Sequence, residues 1–151
     1  MREQSGRSLV EIIGVLAIGA VMTVATYNIY TSISQRNKNM VASETLKDIA
    51  TKTKTLLEYS NYKPVSVDFL IEAGVLKNSK APIGNSNWSV TPSYNYEEFS
   101  INLYGLKYEE CSYFATKNFD WATKVSINGS ESQTTALCLK TGDNTVSLTA
   151  Q

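Results

Sequence analysis

The sequence predicts an α+β fold in which a long N-terminal helix packs on an antiparallel sheet. An uncharged and largely apolar run of 24 residues extends from Ile12 to Gln35. No proline or glycine interrupts the chain from Ala20 to Lys63, as expected of a continuous helix. From Trp88 onward, apolar and polar residues alternate between turn signals, a pattern typical of strands.

The run Ile12–Gln35, called here the uncharged segment, has the length of a membrane span. As a helix it would be about 36 Å long at ~1.5 Å per residue, and a hydrocarbon core is about 30 Å thick. We therefore expect one membrane-spanning helix over residues 7–35, with Arg36 and Lys38 in water beyond it. A cleaved secretory signal is the weaker interpretation, because its apolar run is only ~7–15 residues long.

The helix is expected to continue to about Tyr59, since apolar residues recur at spacings of three and four along one stripe. We interpret that stripe as the face that packs on a globular part. Pro64 prevents further continuation. Ser66 is placed to cap a short helix over Val67–Ala73, which Gly74 would close.

The second half of the chain supplies the sheet. Strands are predicted at Trp88–Thr91, Glu98–Leu103 and Trp121–Ile127, and in a closing hairpin of Thr135–Lys140 with Asn144–Ala150. A short helix is predicted over Lys107–Lys117, and Asn128-Gly129 signals a turn.

Composition argues against catalysis and cofactors. The chain has 14 basic and 14 acidic side chains, which gives no general reason to bind nucleic acid. It has no histidine, which excludes Ser-His-Asp and Cys-His catalysis and histidine zinc sites, and two cysteines cannot form a four-cysteine zinc site. Asp143-Asn144 could contribute to a calcium site, but the remaining oxygen ligands are not visible in the pattern. We expect neither an enzyme nor a bound cofactor.

Charged residues are unevenly distributed along the chain. Residues 36–63 carry six basic and three acidic side chains, whereas residues 97–110 carry four acidic and one basic. The acidic pairs Glu97/Glu98 and Glu109/Glu110 are adjacent, so their side chains point to different faces and do not form a carboxylate dyad. The two regions either set the register between neighbouring subunits or are ordinary solvated faces.

Glu11 lies at the start of the apolar run, where a charge is unfavourable. An acidic side chain near the bilayer centre costs roughly 2.5–3.5 kcal/mol, and less near the interface. Glu11 either extends toward the lipid headgroups or has a function inside the membrane.

The residues around Glu11 carry a family resemblance. Gly6 is followed by four residues and then Glu11, which opens the helix SLVEIIGVLAIGAV. This resembles the class III signal of type IV prepilins and pseudopilins. The resemblance implies a leader over residues 1–6, cleavage between Gly6 and Arg7 by a prepilin peptidase, N-methylation of Arg7, and a role for Glu11 in assembly. Arg7 stands where the family usually has phenylalanine, methionine or leucine.

The C-terminal half carries a second resemblance. The stretch FSINLYGLKYEEC, then Trp121–Gly129 and a later cysteine, looks like the cysteine-bounded loop of class b type IV pilins. This resemblance implies the pilin fold and a disulfide between Cys111 and Cys138. An even number of cysteines in the polar part also suits an oxidising compartment, so we expect residues 36–151 to form a globular head outside the cytoplasm.

The two resemblances together imply a major or minor pilin of a type IV pilus-like filament. Its implied partners are the prepilin peptidase, other pilin subunits, an inner-membrane assembly platform and membrane lipid. It would sit in the bacterial inner membrane with its N-terminus cytoplasmic, and later in an extracellular pilus. Two alternatives stay open: a pseudopilin of a type II secretion or competence system with a periplasmic destination, and a bitopic membrane protein whose head binds a ligand or partner.

Overall fold

The computed structural model describes residues 4–84 and 87–151, with the backbone alone at residues 4–8. It has the predicted α+β fold, in which a long helix packs on a four-stranded antiparallel sheet. The chain divides into two compact units, residues 1–37 and residues 38–151. The second unit is called the head below.

Helix α1 spans Gln4–Leu56, so it ends three residues before the predicted limit. Its last turn passes into a tight bend in which the Ser60 amide donates to the Leu57 carbonyl at 2.9 Å. Within the head, α1 buries one stripe of small and aliphatic side chains completely: Ala42, Leu46, Ile49 and Ala50. This spacing puts them on one helix face, against the sheet, as predicted.

Helix α2, Val67–Glu72, begins and ends at the predicted signals. The Phe69 amide donates to Ser66 Oγ at 3.1 Å, which satisfies one of the free amides of the first turn. Gly74 follows with a φ of 72°, a conformation that glycine adopts without steric cost. Leu70 fixes this helix to the core through its fully buried side chain.

The sheet has the strand order β1-β2-β4-β3, and every pair is antiparallel. The strands are β1, Ser89–Pro92; β2, Phe99–Leu106; β3, Lys124–Ile127; and β4, Asn144–Ala150. The core face pairs Ile101 with Leu148 and Leu103 with Val146 across β2 and β4. The opposite face is polar, and Ser100 and Thr149 share a hydrogen bond of 3.0 Å on it.

Helix α3, Tyr108–Thr116, connects β2 to β3 and packs near β4. Glu110 is buried in its first turn, and its Oε2 accepts a hydrogen bond from the Lys107 amide at 2.9 Å. Cys111 and Phe114 lie on its buried face.

Two strand predictions are wrong. The third strand begins at Lys124 rather than Trp121, because the chain turns just before it: the Ala122 amide donates to the Phe119 carbonyl at 3.1 Å. The predicted strand Thr135–Lys140 is instead a short 3-10 helix over Thr135–Leu137. It could not pair with β4, since β2 and β3 already occupy both edges of that strand.

Candidate functional site

The uncharged segment presents an exposed apolar surface. From Leu9 to Ile33, every described side chain is exposed. Two large apolar side chains, Leu9 and Val10, precede the uncharged segment. Those within it are Ile12, Ile13, Val15, Leu16, Ile18, Val21, Met22, Val24, Tyr27, Ile29, Tyr30 and Ile33. A contiguous apolar surface of this extent marks a membrane or protein interaction site.

The same helix meets the requirements of a membrane span by length and composition. Its most apolar stretch has a mean hydropathy of 2.2, and none of that stretch is buried within the chain. Within the described residues it is the one helix of this kind. It could therefore cross a bilayer, as the sequence predicts.

The threonine side chains in this segment bond to their own helix. Thr23 Oγ1 donates to the Gly19 carbonyl at 2.8 Å, and Thr26 Oγ1 donates to the Met22 carbonyl at the same distance. Internal satisfaction of polar groups is what an apolar surrounding requires. The threonines therefore do not oppose burial of this surface in lipid or among other helices.

The residues of the predicted processing signal lie at the start of α1. Glu11 is exposed on the helix. The backbone of Gly6 and Arg7 belongs to α1, while the Arg7 side chain and residues 1–3 of the predicted leader lie outside the described residues. Cleavage, N-methylation and the role of Glu11 stay predictions.

The head contains the disulfide implied by the family resemblance. Cys111 of α3 is bonded to Cys138, which follows the 3-10 helix, and their Cα atoms are 5.9 Å apart. Both cysteines are buried. The bond ties α3 to the segment that leads into β4, so the loop containing β3 is closed at its base.

Beside the disulfide lies a pair of asparagines that the sequence pattern did not connect. The buried Asn144 donates from Nδ2 to the carbonyls of Leu106 and Leu139, at 3.2 and 3.0 Å. Its Oδ1 accepts from the Leu139 amide at 2.6 Å and from Asn128 Nδ2 at 2.9 Å. These bonds link the end of β2, the turn after β3 and the segment after Cys138. The pairing spans 16 residues, so no local signal could have indicated it.

The geometry also bears on the candidate cation ligands. Asn144 Oδ1 already accepts two hydrogen bonds and is buried, so it does not face a solvent-filled cation site. The adjacent acids Glu109 and Glu110 point to different faces, as predicted: Glu110 is buried at the start of α3, whereas Glu109 is exposed. In the part of the chain that the structure describes, no group of three or more histidine, cysteine, aspartate or glutamate residues could hold a metal ion.

Comparison with known proteins finds no family model that matches the chain and no curated protein similar to it. A function is therefore inferred from the residues and geometry of the chain itself. It is inferred from the exposed apolar helix, the residues of the predicted processing signal at its start, and the disulfide-closed head.

Proposed function

We propose that this chain is a structural subunit, a major or minor pilin, of a type IV pilus-like filament. The observation that carries the proposal is the exposed apolar surface of the uncharged segment, beside a head that buries its own core. Such a surface needs either lipid or the equivalent helices of other subunits. A subunit that moves from the membrane into a filament exchanges contacts with lipid for contacts with the helices of other subunits.

In this proposal the precursor is a single-pass protein of the bacterial inner membrane with its N-terminus in the cytoplasm. A prepilin peptidase cleaves between Gly6 and Arg7 and methylates the new N-terminus. Glycine before the cut leaves no side chain to obstruct the peptidase cleft. An assembly platform then draws the processed subunit from the lipid into the filament.

Glu11 has a defined role in this assembly. Cleavage creates a positive α-amino group on Arg7, four residues before Glu11. In an apolar helix bundle each charge is unfavourable alone. Pairing the amine of one subunit with Glu11 of a neighbour offsets the unfavourable free energy of both buried charges. It also sets the axial register between the two subunits. The Arg7 guanidinium is a second cation available to the same carboxylate.

The disulfide between Cys111 and Cys138 fits the cysteine-bounded loop of class b type IV pilins, which favours a pilin over a pseudopilin. Oxidised cysteines suit a head outside the cytoplasm in either case, since the periplasm is also oxidising. The bitopic binding protein differs in its processing, since it would keep residues 1–6. The proteolytic fate of the Gly6–Arg7 bond therefore separates a filament subunit from a simple membrane anchor.

The test is intact-mass analysis of the protein from membranes and from sheared surface filaments. We expect the chain to begin at a methylated Arg7 in both fractions. Gly6→Val should leave the full-length precursor in the membrane and abolish filaments. Gly14→Val is the matched control, because no atom lies within 4 Å of a Cβ placed at Gly14, and it should be cleaved normally. Full-length chain alone, in cells with an active prepilin peptidase, would contradict the proposal.

A further inference from the structure

A groove of about 610 Å³ lies in the head between α1 and the segment that follows α2. Apolar residues of its lining include Val75, Leu76 and Trp88. Its lining also carries three exposed lysines: Lys52, Lys77 and Lys80. One acid, Asp48, lies among them and forms an ion pair with Lys52 at 3.3 Å. The groove, called here the lysine groove, therefore combines an apolar surface with positive charge.

A second feature of the head has the opposite chemistry. The connection between β1 and β2, residues 93–98, has the sequence Ser-Tyr-Asn-Tyr-Glu-Glu and is called here the tyrosine tip. The side chain of Tyr94 is fully exposed, Tyr96 is partly exposed, and Glu97 is exposed beside them. The tip thus presents aromatic rings together with negative charge.

The tyrosine tip is held in one conformation without help from a partner. The Ser93 amide donates to the Glu98 carbonyl at 2.8 Å, and the Glu98 amide donates to Ser93 Oγ at 3.1 Å. Tyr96 has a φ of 58°, an unfavourable backbone conformation for a bulky residue. Its carbonyl accepts from the Tyr62 amide at 3.0 Å, which attaches the tip to the chain beyond α1. A tip ordered in advance loses little conformational entropy on binding.

We infer that the tyrosine tip of one subunit docks in the lysine groove of the next. An aromatic side chain buries about 150–250 Å² on association, and the groove is large enough to admit one. Glu97 and Glu98 then approach the lysines, a complementarity that fixes the register between subunits. The inference rests on the proposed function and deepens it by naming the contact between heads.

The two surfaces are different parts of the same head. The groove includes Val41 and Thr45, in the first turns of α1 within the head, whereas the tip contacts Tyr62, after the end of α1. A contact between two unlike surfaces is heterologous, so each added subunit offers a free surface for another. Such a contact builds an open filament when the rotation between successive subunits does not close a ring.

Engineered cysteines test the contact in assembled filaments. Both native cysteines are in the disulfide, so Tyr94→Cys combined with Lys77→Cys introduces the only free thiols. After oxidation, non-reducing gels should show a ladder of multimers. Each single variant should give no ladder, and neither should the control pair Ser132→Cys with Lys77→Cys. Filaments of the double variant without a ladder would overturn the docking contact and leave the filament proposal standing.

Exchange of charges tests the same contact without crosslinking. Glu97→Lys and Lys77→Glu should each lower the yield of sheared filaments several-fold, and together they should restore it. Glu131→Lys, the same change at an exposed acid outside the tip, should leave the yield unchanged. A double variant no better than the single ones would overturn the docking contact. If the wild-type protein is stable in membranes but forms no filaments, the filament proposal fails and the contact fails with it.

Discussion

Two stretches of a single helix, α1, behave in opposite ways. Leu16 lies in the uncharged segment and is 66% exposed, whereas Leu46 lies in the head and is 0% exposed. A leucine on this helix is therefore left exposed by the chain in the first stretch and is fully surrounded by other residues of the chain in the second.

The difference shows where each stretch obtains its stabilisation. The head brings α1, α2, α3 and the sheet around one core, whose apolar side chains are buried within the chain. The uncharged segment can bury its surface only against lipid or other chains. Substitutions in the core of the head should therefore change its unfolding, while substitutions in the uncharged segment should change assembly.

The largest expected effect is on assembly. Glu11→Val should insert in the membrane at least as well as the native chain, because a charge is removed from lipid. Cleavage after Gly6 should persist, but sheared filaments should be nearly absent, since the carboxylate proposed to pair with the N-terminal amine is gone. The fractions are compared by immunoblot.

Glu44→Val is the matched control for Glu11→Val. Glu44 is an exposed acid on the same helix, within the head, so its loss should leave filament yield intact. If Glu11→Val subunits expressed alone formed filaments at the native level, the ion-pair role of Glu11 would be wrong. Extension of Glu11 toward the headgroups would then explain its position better.

Next in size is the effect of Leu46→Ala on the head. Removing a fully buried leucine side chain loses apolar burial and leaves a cavity, which costs about 2–5 kcal/mol of unfolding free energy. Denaturant unfolding of the purified protein in detergent, followed through the near-ultraviolet signal of the head aromatics, measures it. A shift below the precision of the method would show that α1 contributes little to the core.

The disulfide should contribute a comparable amount. The bonded residues are 27 apart in sequence, and closing a loop of that length stabilises by roughly 3.5 kcal/mol in the chain-entropy model. We expect the double variant Cys111→Ser, Cys138→Ser to unfold at a correspondingly lower denaturant concentration. The native protein after reduction should match it. Identical unfolding midpoints with and without the bond would exclude a stabilising role.

The smallest expected effect is that of Leu16→Ala on the unfolding of the head. Leu16 has no part in the head core, and alanine is an excellent helix former. The unfolding curve should therefore coincide with that of the native protein, while filament yield falls. A head destabilised by Leu16→Ala as much as by Leu46→Ala would remove the distinction between the two stretches.

Features with a local signal could be predicted from sequence. Ser66 and Gly74 delimit α2 because capping and chain reversal depend on adjacent backbone groups. Asn128 and Gly129 both adopt positive φ, as a tight turn demands. The exposed apolar surface of α1 likewise follows from the composition of one continuous segment.

Features that depend on distant residues could not be predicted. The stretch Thr135–Lys140 alternates like a strand, but both edges of β4 are already taken, and the disulfide holds Cys138 to α3. Asn144 was a candidate calcium ligand because Asp143 precedes it. Its side chain instead forms hydrogen bonds with Leu106, Leu139 and Asn128. The lysine groove also depends on tertiary packing, since it joins residues of α1 to the segment after α2.

The strand order has a consequence for the timing of folding. β4 follows the other three strands in the chain but lies between β2 and β3. Strands β2 and β3 therefore cannot pair with β4 until residues 144–150 have been synthesised. Long-range pairings of this kind slow folding, and the sheet cannot be completed stepwise as the chain leaves the ribosome. The sheet of the head is therefore completed only when residues 144–150 have left the ribosome, long after the N-terminal helix.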